Sequence, residues 1–262
     1  MFTKKKLFCA IAGSVFAASV SASASAEGVY VSGNIGYSDM DDTKTSGSFS
    51  SDFTTGPGTS IPAGVSLPAG TRVGWDTSVD SGATYSLALG YQINQFRIEA
   101  EYASARNDVK SHDGVGAAGI DLTAEDAGVL VSGAPANLGV SVGDLVAAGE
   151  GEFDSRFLFA NVYYDFDLGM ALTPYVGAGI GNASVDVSYS PSGVTIIDDD
   201  DSVFAYQLMA GATYQMSEQL SLFGGLRWRQ TDDIQVDADL FDAEFEVQMD
   251  SLVAEVGTRW KF

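Results

Sequence analysis

The tightest constraint on this chain is a two-residue periodicity that returns eight times. In GATYSLALGYQI, Ala83, Tyr85, Leu87, Leu89, Tyr91 and Ile93 fall on one face, while Thr84, Ser86, Ala88, Gly90 and Gln92 fall on the other. After Asn94-Gln95 the pattern resumes in FRIEAEYAS, where Phe96, Ile98, Ala100 and Tyr102 alternate with Arg97, Glu99, Glu101 and Ala103. A helix would scatter these side chains around its circumference; a strand sends them alternately to two faces. The same alternation runs through VYVSGNIGY from Val29, FLFANVYYDF from Phe157, TPYVGAGIG from Thr173, FAYQLMAGATYQM from Phe204, LSLFGGLRW from Leu220 and SLVAEVGTRWKF at the C-terminal end.

The connections alternate as well. Those around Asn94, Asp167 and Ser217 are a few residues long, whereas Asp42–Ser81 and Asn107–Ser155 are long, and two further connections are of intermediate length. Structureless connections beyond about 15 residues are uncommon in compact domains, so their placement needs a reason. Short turns on one side, long loops on the other and both termini on the short side predict an all-β, eight-stranded antiparallel up-and-down transmembrane β-barrel. Its turns face the periplasm and its long acidic loops face outward.

A soluble barrel has the same alternation turned inside out. Volume separates the two, because eight strands enclose a space that side chains only just fill. The apolar faces carry many Leu, Phe, Tyr and Trp residues and would overfill it; the opposite faces, rich in Gly, Ala, Ser and Thr, suit a narrow lumen. Aromatic position agrees. Tyr91, Phe96, Phe166, Tyr214, Trp260 and Phe262 fall near the short-turn rim, and Tyr37, Tyr85, Tyr102, Phe204, Tyr206 and Trp228 near the long-loop rim. Two aromatic girdles around an aliphatic belt match two lipid–water interfaces, and a closed barrel pairs every backbone group, as lipid requires.

Charge sorts the same way. The four longer connections together hold 28 of the 35 acidic residues but only five basic ones (Lys44, Arg72, Arg106, Lys110 and Arg156), a net of 23 negative charges. Such a surface repels nucleic acid and other polyanions. The lumen face gathers Arg97, Glu99, Glu101, Asp165, Arg227, Arg229, Glu255 and Arg259, with Lys261 at the rim. Strand direction sets Arg97 and Asp165 at one level and lets Glu255 approach Arg227. The set is either a charged gate in a narrow pore or an ion-pair network that plugs the barrel and fixes its register. The plug is favoured because eight strands leave little room for water.

Asp198, Asp199, Asp200 and Asp201 form a run of carboxylates of the kind hard cations bind, and DADLFDAEFE from Asp237 is a second acidic stretch. Neither has the spacing of a calcium loop, and solvated loop acidity explains both. His112, the sole histidine, stands between Ser111 and Asp113. Neighbouring side chains diverge, so these three cannot form a catalytic triad, and no catalytic residue or cofactor is expected. Thr123 to Asp126 in LTAEDAGVL has a capping-box pattern, which predicts a helical turn in the second long loop.

The first residues read as an export signal: Lys4, Lys5 and Lys6, an apolar stretch from Leu7 to Val20, then small residues up to Ala26. Cleavage after Ala26 divides the chain into a signal peptide, 1–26, and a barrel domain, 27–262. Cys9, the one cysteine, falls in the signal, so the mature domain has no disulfide.

The stretches NVYYDF…TPYVGAGIG, FAYQLMAGATYQMSEQLSLFGGLRW and the terminal RWKF resemble the OmpA-like outer-membrane β-barrel superfamily, nearest its opacity-porin and rickettsial surface-antigen branch. The resemblance covers most of the mature chain outside the two longest loops. It implies an integral protein of the outer membrane of a Gram-negative bacterium, acting as a surface antigen, adhesin, structural anchor or narrow pore; an outer-membrane enzyme is the weaker alternative. The implied partners are outer-membrane lipid and lipopolysaccharide, a surface or host partner reached by the loops, and the outer-membrane assembly machinery, which in this superfamily reads a terminal strand ending in Phe. Trp260 and Phe262 would carry that signal. A monomer is expected. The chain ends at its eighth strand without the peptidoglycan-binding domain of OmpA, so no cell-wall tether is implied.

Overall fold

A computed structural model describes residues 27–146, 151–189, 197–238 and 242–262. Residues 1–26, where the export signal, Cys9 and the cleavage after Ala26 are expected, lie outside the described residues. Eight long strands carry the eight alternating segments: β1 Glu27–Met40, β2 Gly82–Ile93, β3 Phe96–Ala117, β4 Gly151–Asp165, β5 Leu172–Tyr189, β6 Ile197–Gln215, β7 Leu220–Thr231 and β8 Asp250–Lys261. All neighbours are antiparallel, and the ring closes where β1 pairs β8, with Ile35 opposite Val256 on one side and Tyr85 on the other. Asn94, at φ 53, takes the left-handed conformation that the β2–β3 hairpin demands and that Asn tolerates better than most residues.

The outward face is the apolar one. Ile35 is 68% exposed and Leu87 66%, and the aromatic residues assigned to the two rims all point outward, with Tyr206 half-buried. Inverted burial of this kind places the hydrocarbon of a bilayer where water surrounds a soluble protein.

The long connections are in good part strands, a point that the sequence left open for the first two. Strands β3 to β6 run on past the ends of β1, β2, β7 and β8, and four short strands from the connections take the vacated places. Arg72–Val79 pairs with β3, Thr43–Phe49 pairs with Arg72–Val79, Ala243–Val247 with Thr43–Phe49, and Ile234–Asp237 with Ala243–Val247. A second ring thus stands on the first. Here the polarity reverses. Phe49, Val73, Trp75, Phe153, Val185, Val187, Ile197, Ile234, Val236 and Phe245 point inward as one apolar core, while Asp76, Glu244 and Glu246 face water.

The second long connection lies over this core. Its helical turn spans Ala127–Leu130, but the cap is Asp126, whose carboxylate accepts from Gly128 N, rather than Thr123. A single-turn helix, α1 (Val142–Val146), follows.

Candidate functional site: the charged lumen and the acidic rim

Inward positions of the lower ring are small on one side and long and charged on the other, and the two interlock. A Cβ on Gly179 would lie 2.0 Å from Asn161 Oδ1, so a glycine there gives the polar side chains their space. Arg97, 1% exposed, grips Asp165 in two parallel bonds, Nε to Oδ2 at 2.9 Å and Nη2 to Oδ1 at 3.0 Å. Its Nη1 reaches Glu99 Oε1 at 3.3 Å, and that oxygen also accepts from the Tyr30 hydroxyl at 2.7 Å. Tyr163 stacks beneath the guanidinium, its ring centroid 4.2 Å from Arg97 Cζ.

The second cluster crosses the lumen. Arg227 Nη1 donates to Glu101 Oε1 and Oε2 at 2.6 and 2.8 Å, and to Gln207 Oε1 at 2.9 Å; Arg227 Nη2 lies 3.1 Å from Glu255 Oε2. Glu101 stands on β3 and Arg227 on β7, diametrically opposite in an eight-membered ring, so this pair bars the lumen. Asn161 Nδ2 donates to Glu101 at 2.5 Å, and Gln207 Nε2 donates to Asn161 Oδ1 at 2.8 Å. The void left among Arg97, Glu99, Glu101, Arg227, Glu255 and Arg259 is about 10 Å³, room for about one water.

The structure therefore brings together Arg97 with Glu99 and Asp165, and Arg227 with Glu101 and Glu255. It does not pair the other two arginines. Arg229 lies over the Phe157 ring at 4.0 Å, and Arg259 lies 5.1 Å from the Tyr30 ring and 5.4 Å from that of Phe223. Among the described residues neither has a carboxylate at ion-pair distance. Both stack on aromatic faces instead, which satisfies a guanidinium less completely than a carboxylate does. Tyr30, Asn161, Tyr163 and Gln207 belong to the network and were not among the residues singled out from the sequence. The signal was present, since each falls in the inward phase of its strand.

The carboxylate run sits elsewhere than the sequence suggested. Asp198–Asp201 lie on β6, not in a loop, opposite Ser188, Asp199's partner Val187, Asp186 and Val185. Strand alternation sends Asp198 and Asp200 to one face and Asp199 and Asp201 to the other, so the four carboxylates do not converge. Among the described residues no set of three or more acidic, His or Cys side chains is placed to hold a metal ion. Asp201 Oδ2 and Asp199 Oδ2 instead accept from the backbone N–H groups of Gln235 and Asp237, both at 2.9 Å. Side-chain carboxylates thereby close the upper ring at a seam where the described residues form no strand ladder.

His112 is also corrected. It is on the extension of β3, 4% exposed, with Nδ1 2.9 Å from Thr77 Oγ1 and its ring centroid 4.2 Å from that of Tyr189. Ser111 pairs across to Ser78 and His112 to Thr77. At the other end Trp260 and Phe262 are exposed on the short-turn rim, and Phe262 N donates to Val29 O at 3.0 Å.

The family described as outer membrane protein beta-barrel domain matches residues 8–259. Among solved structures, the outer membrane protein OprG from Pseudomonas aeruginosa is 16% identical over 90% of this chain and 96% of its own, with a TM-score of 0.51; the likeness is one of fold. Neisserial surface protein A is 16% identical over 89% of this chain and 97% of its own, at a TM-score of 0.44. The outer membrane protease OmpT from Escherichia coli is 8% identical over 94% of this chain and all (100%) of its own, at 0.45. No curated protein matches the chain. This chain belongs to the outer membrane protein beta-barrel domain family, and it is an integral protein of the outer membrane.

Proposed function

We propose that the protein is a non-enzymatic surface protein, a monomeric outer-membrane anchor that presents an acidic, rigidly cored platform to partners outside the cell. One observation carries this reading: the Glu101–Arg227 pair bars the lumen at a level with room for about one water. A path so closed favours presentation over passage. Above the bar, the second ring gives the connections a packed core and an outer face that includes Asp76, Asp198, Asp200, Glu244 and Glu246. That face suits a cationic partner surface and disfavours nucleic acid. Phospholipid and lipopolysaccharide surround the belt, and the assembly machinery reads Trp260 and Phe262 in the closing strand.

Planar-bilayer recording of the refolded protein tests this. Silence is expected from the wild type. Steady conductance, altered by Arg227→Ala, would replace the proposal with a narrow pore. Removing residues of the upper ring should abolish binding to cells or cationic surfaces; binding that survives would refute the platform.

A further inference from the structure

On the lipid-facing wall, where β2, β3, β4 and β5 stand side by side, a groove of about 780 Å³ is cut into the apolar belt. Its floor is made of outward methyl groups: Ala100 on β3 pairs with Ala160 on β4, and Ala178 on β5 extends the floor to a third strand. Larger side chains stand around them. Leu89 pairs with Ala100 on one flank and Ile180 with Ala160 on the other. Ile98 and Val162, themselves a pair, form the lower ridge, and Tyr102 and Leu158 are paired one outward step above the floor. Strand alternation sends all of these to the same face, and all are exposed.

Hydrocarbon lies against this wall, so the groove is either filled by it or left as a void. A void forfeits the dispersion contacts of its lining. In lipid, where removal from water supplies no drive, such packing contacts decide what associates. Two occupants compete for the groove, a second copy of the barrel and a lipid chain. Two convex barrels meet along a line, so the side chains of a second copy cannot follow a floor that runs across three strands. A flexible alkyl chain can, and it touches the floor and both ridges at once.

The level of the groove selects the leaflet. Phe96 and Tyr164, with ring centroids 5.1 Å apart, belong to the aromatic girdle at the short-turn rim. Ala100 comes four residues after Phe96, and Ala160 four before Tyr164. On tilted strands that is about 10 Å further into the belt, within the periplasmic half of an apolar band about 25 Å tall. We propose that this groove holds one acyl chain of a periplasmic-leaflet phospholipid as a resident ligand, with its headgroup at the level of Phe96 and Tyr164. The site is independent of the role proposed for the upper ring.

Native mass spectrometry of the full chain, extracted from its outer membrane in a non-ionic detergent without unfolding, tests the assignment. Ala100→Leu and Ala160→Leu fill the floor with a side chain already common in the belt. Ala210→Leu is the control, since Ala210 faces lipid from β6 outside the groove. Unheated gel migration verifies that each variant is folded. One phospholipid is expected on the wild type and on the control. Either groove variant should lower that retention about tenfold, the worth of roughly ten lost carbon–carbon contacts. Undiminished retention in both groove variants, an equal loss in the control, no phospholipid on the wild type, lipopolysaccharide in its place, or a dimer that the leucines abolish would overturn the assignment.

Discussion

Replacing Arg227 with alanine isolates the bar across the lumen. The guanidinium is 3% exposed and makes four close contacts: both oxygens of Glu101 at 2.6 and 2.8 Å, Gln207 Oε1 at 2.9 Å and Glu255 Oε2 at 3.1 Å. Removing one member of a buried ion pair costs about 3–5 kcal/mol, because the partner is left charged and dry. Here two carboxylates lose their partner at once. Two effects soften the loss. Asn161 and Gln207 still donate to Glu101, and the space vacated by the side chain admits water. A destabilisation of about 3 kcal/mol, the lower end of that range, is therefore expected. Urea titration of the protein refolded in lipid vesicles measures it, read by tryptophan fluorescence and by the gel-mobility difference between folded and unfolded barrels. Arg227→Lys keeps the charge but not the planar fork, and should fall between the two. Glu101→Gln in the Arg227→Ala background should cost far less than it does in the wild type, with a coupling energy of about 0.5–3 kcal/mol. An Arg227→Ala variant within about 0.5 kcal/mol of wild type, with an additive double mutant, would refute the view that this pair braces the ring.

His112 sets a pH window for the upper ring. Its folded pKa is held by burial at about 4, below the ordinary 6.5; the unfolded chain takes the proton first, so stability is full above the unfolded value and falls as pH drops toward the folded one. Hydrogen exchange across Lys110–Ala117 should accelerate through that window, and His112→Gln should flatten the dependence. Glu125 works with the opposite starting charge. Hydrogen bonds from Ser60, through its side chain and then its backbone N–H, hold its carboxyl below the usual range. The contribution is present above the unfolded pKa and is lost as pH falls through the lower folded value. Glu125→Gln should speed amide exchange at Ser60 and Ile61 and leave the barrel strands unchanged. Deleting Phe262 should slow insertion by the assembly machinery more than it weakens the finished barrel, since the ring exposes that side chain and ties down its backbone. Pulse-labelled folding in cells set beside urea titration of the refolded protein separates the two; wild-type assembly of the truncated chain would contradict the expectation.

The lower ring was legible because lipid enforces one rule on every strand. Backbone groups pair internally, one face is apolar throughout, and a single phase error would bury a leucine in the lumen or put an arginine in hydrocarbon. Ile35, Leu87, Leu158 and Val256 declare that phase without help from tertiary context, and the structure exposes all four. Arg97 with Asp165, and Arg227 with Glu255, followed from phase and level alone. The Glu101–Arg227 pair did not, because residues on opposite sides of a ring share no strand neighbour and their distance depends on how the barrel closes.

The upper ring was hidden by a change of solvent. Once the strands leave the bilayer, the face that met lipid must meet water, so the apolar residues move to the inside and the charged ones to the outside. RVGWDTSV and AEFEV alternate as cleanly as any membrane strand, with Val73, Trp75, Phe245 and Val247 inward and Asp76, Glu244 and Glu246 outward. Counting their acids made them look like solvated loops, when half-buried strands carry the same charge on one side only. Asp198–Asp201 illustrate the point: as a composition they suggest a cation site, but on a pleated strand two carboxylates face outward and two turn to the seam, where they accept the N–H groups of Gln235 and Asp237. Their negative charge then does the work of a missing strand ladder. Acidity in this region is thus part of how the fold closes, as well as the character of the surface it presents.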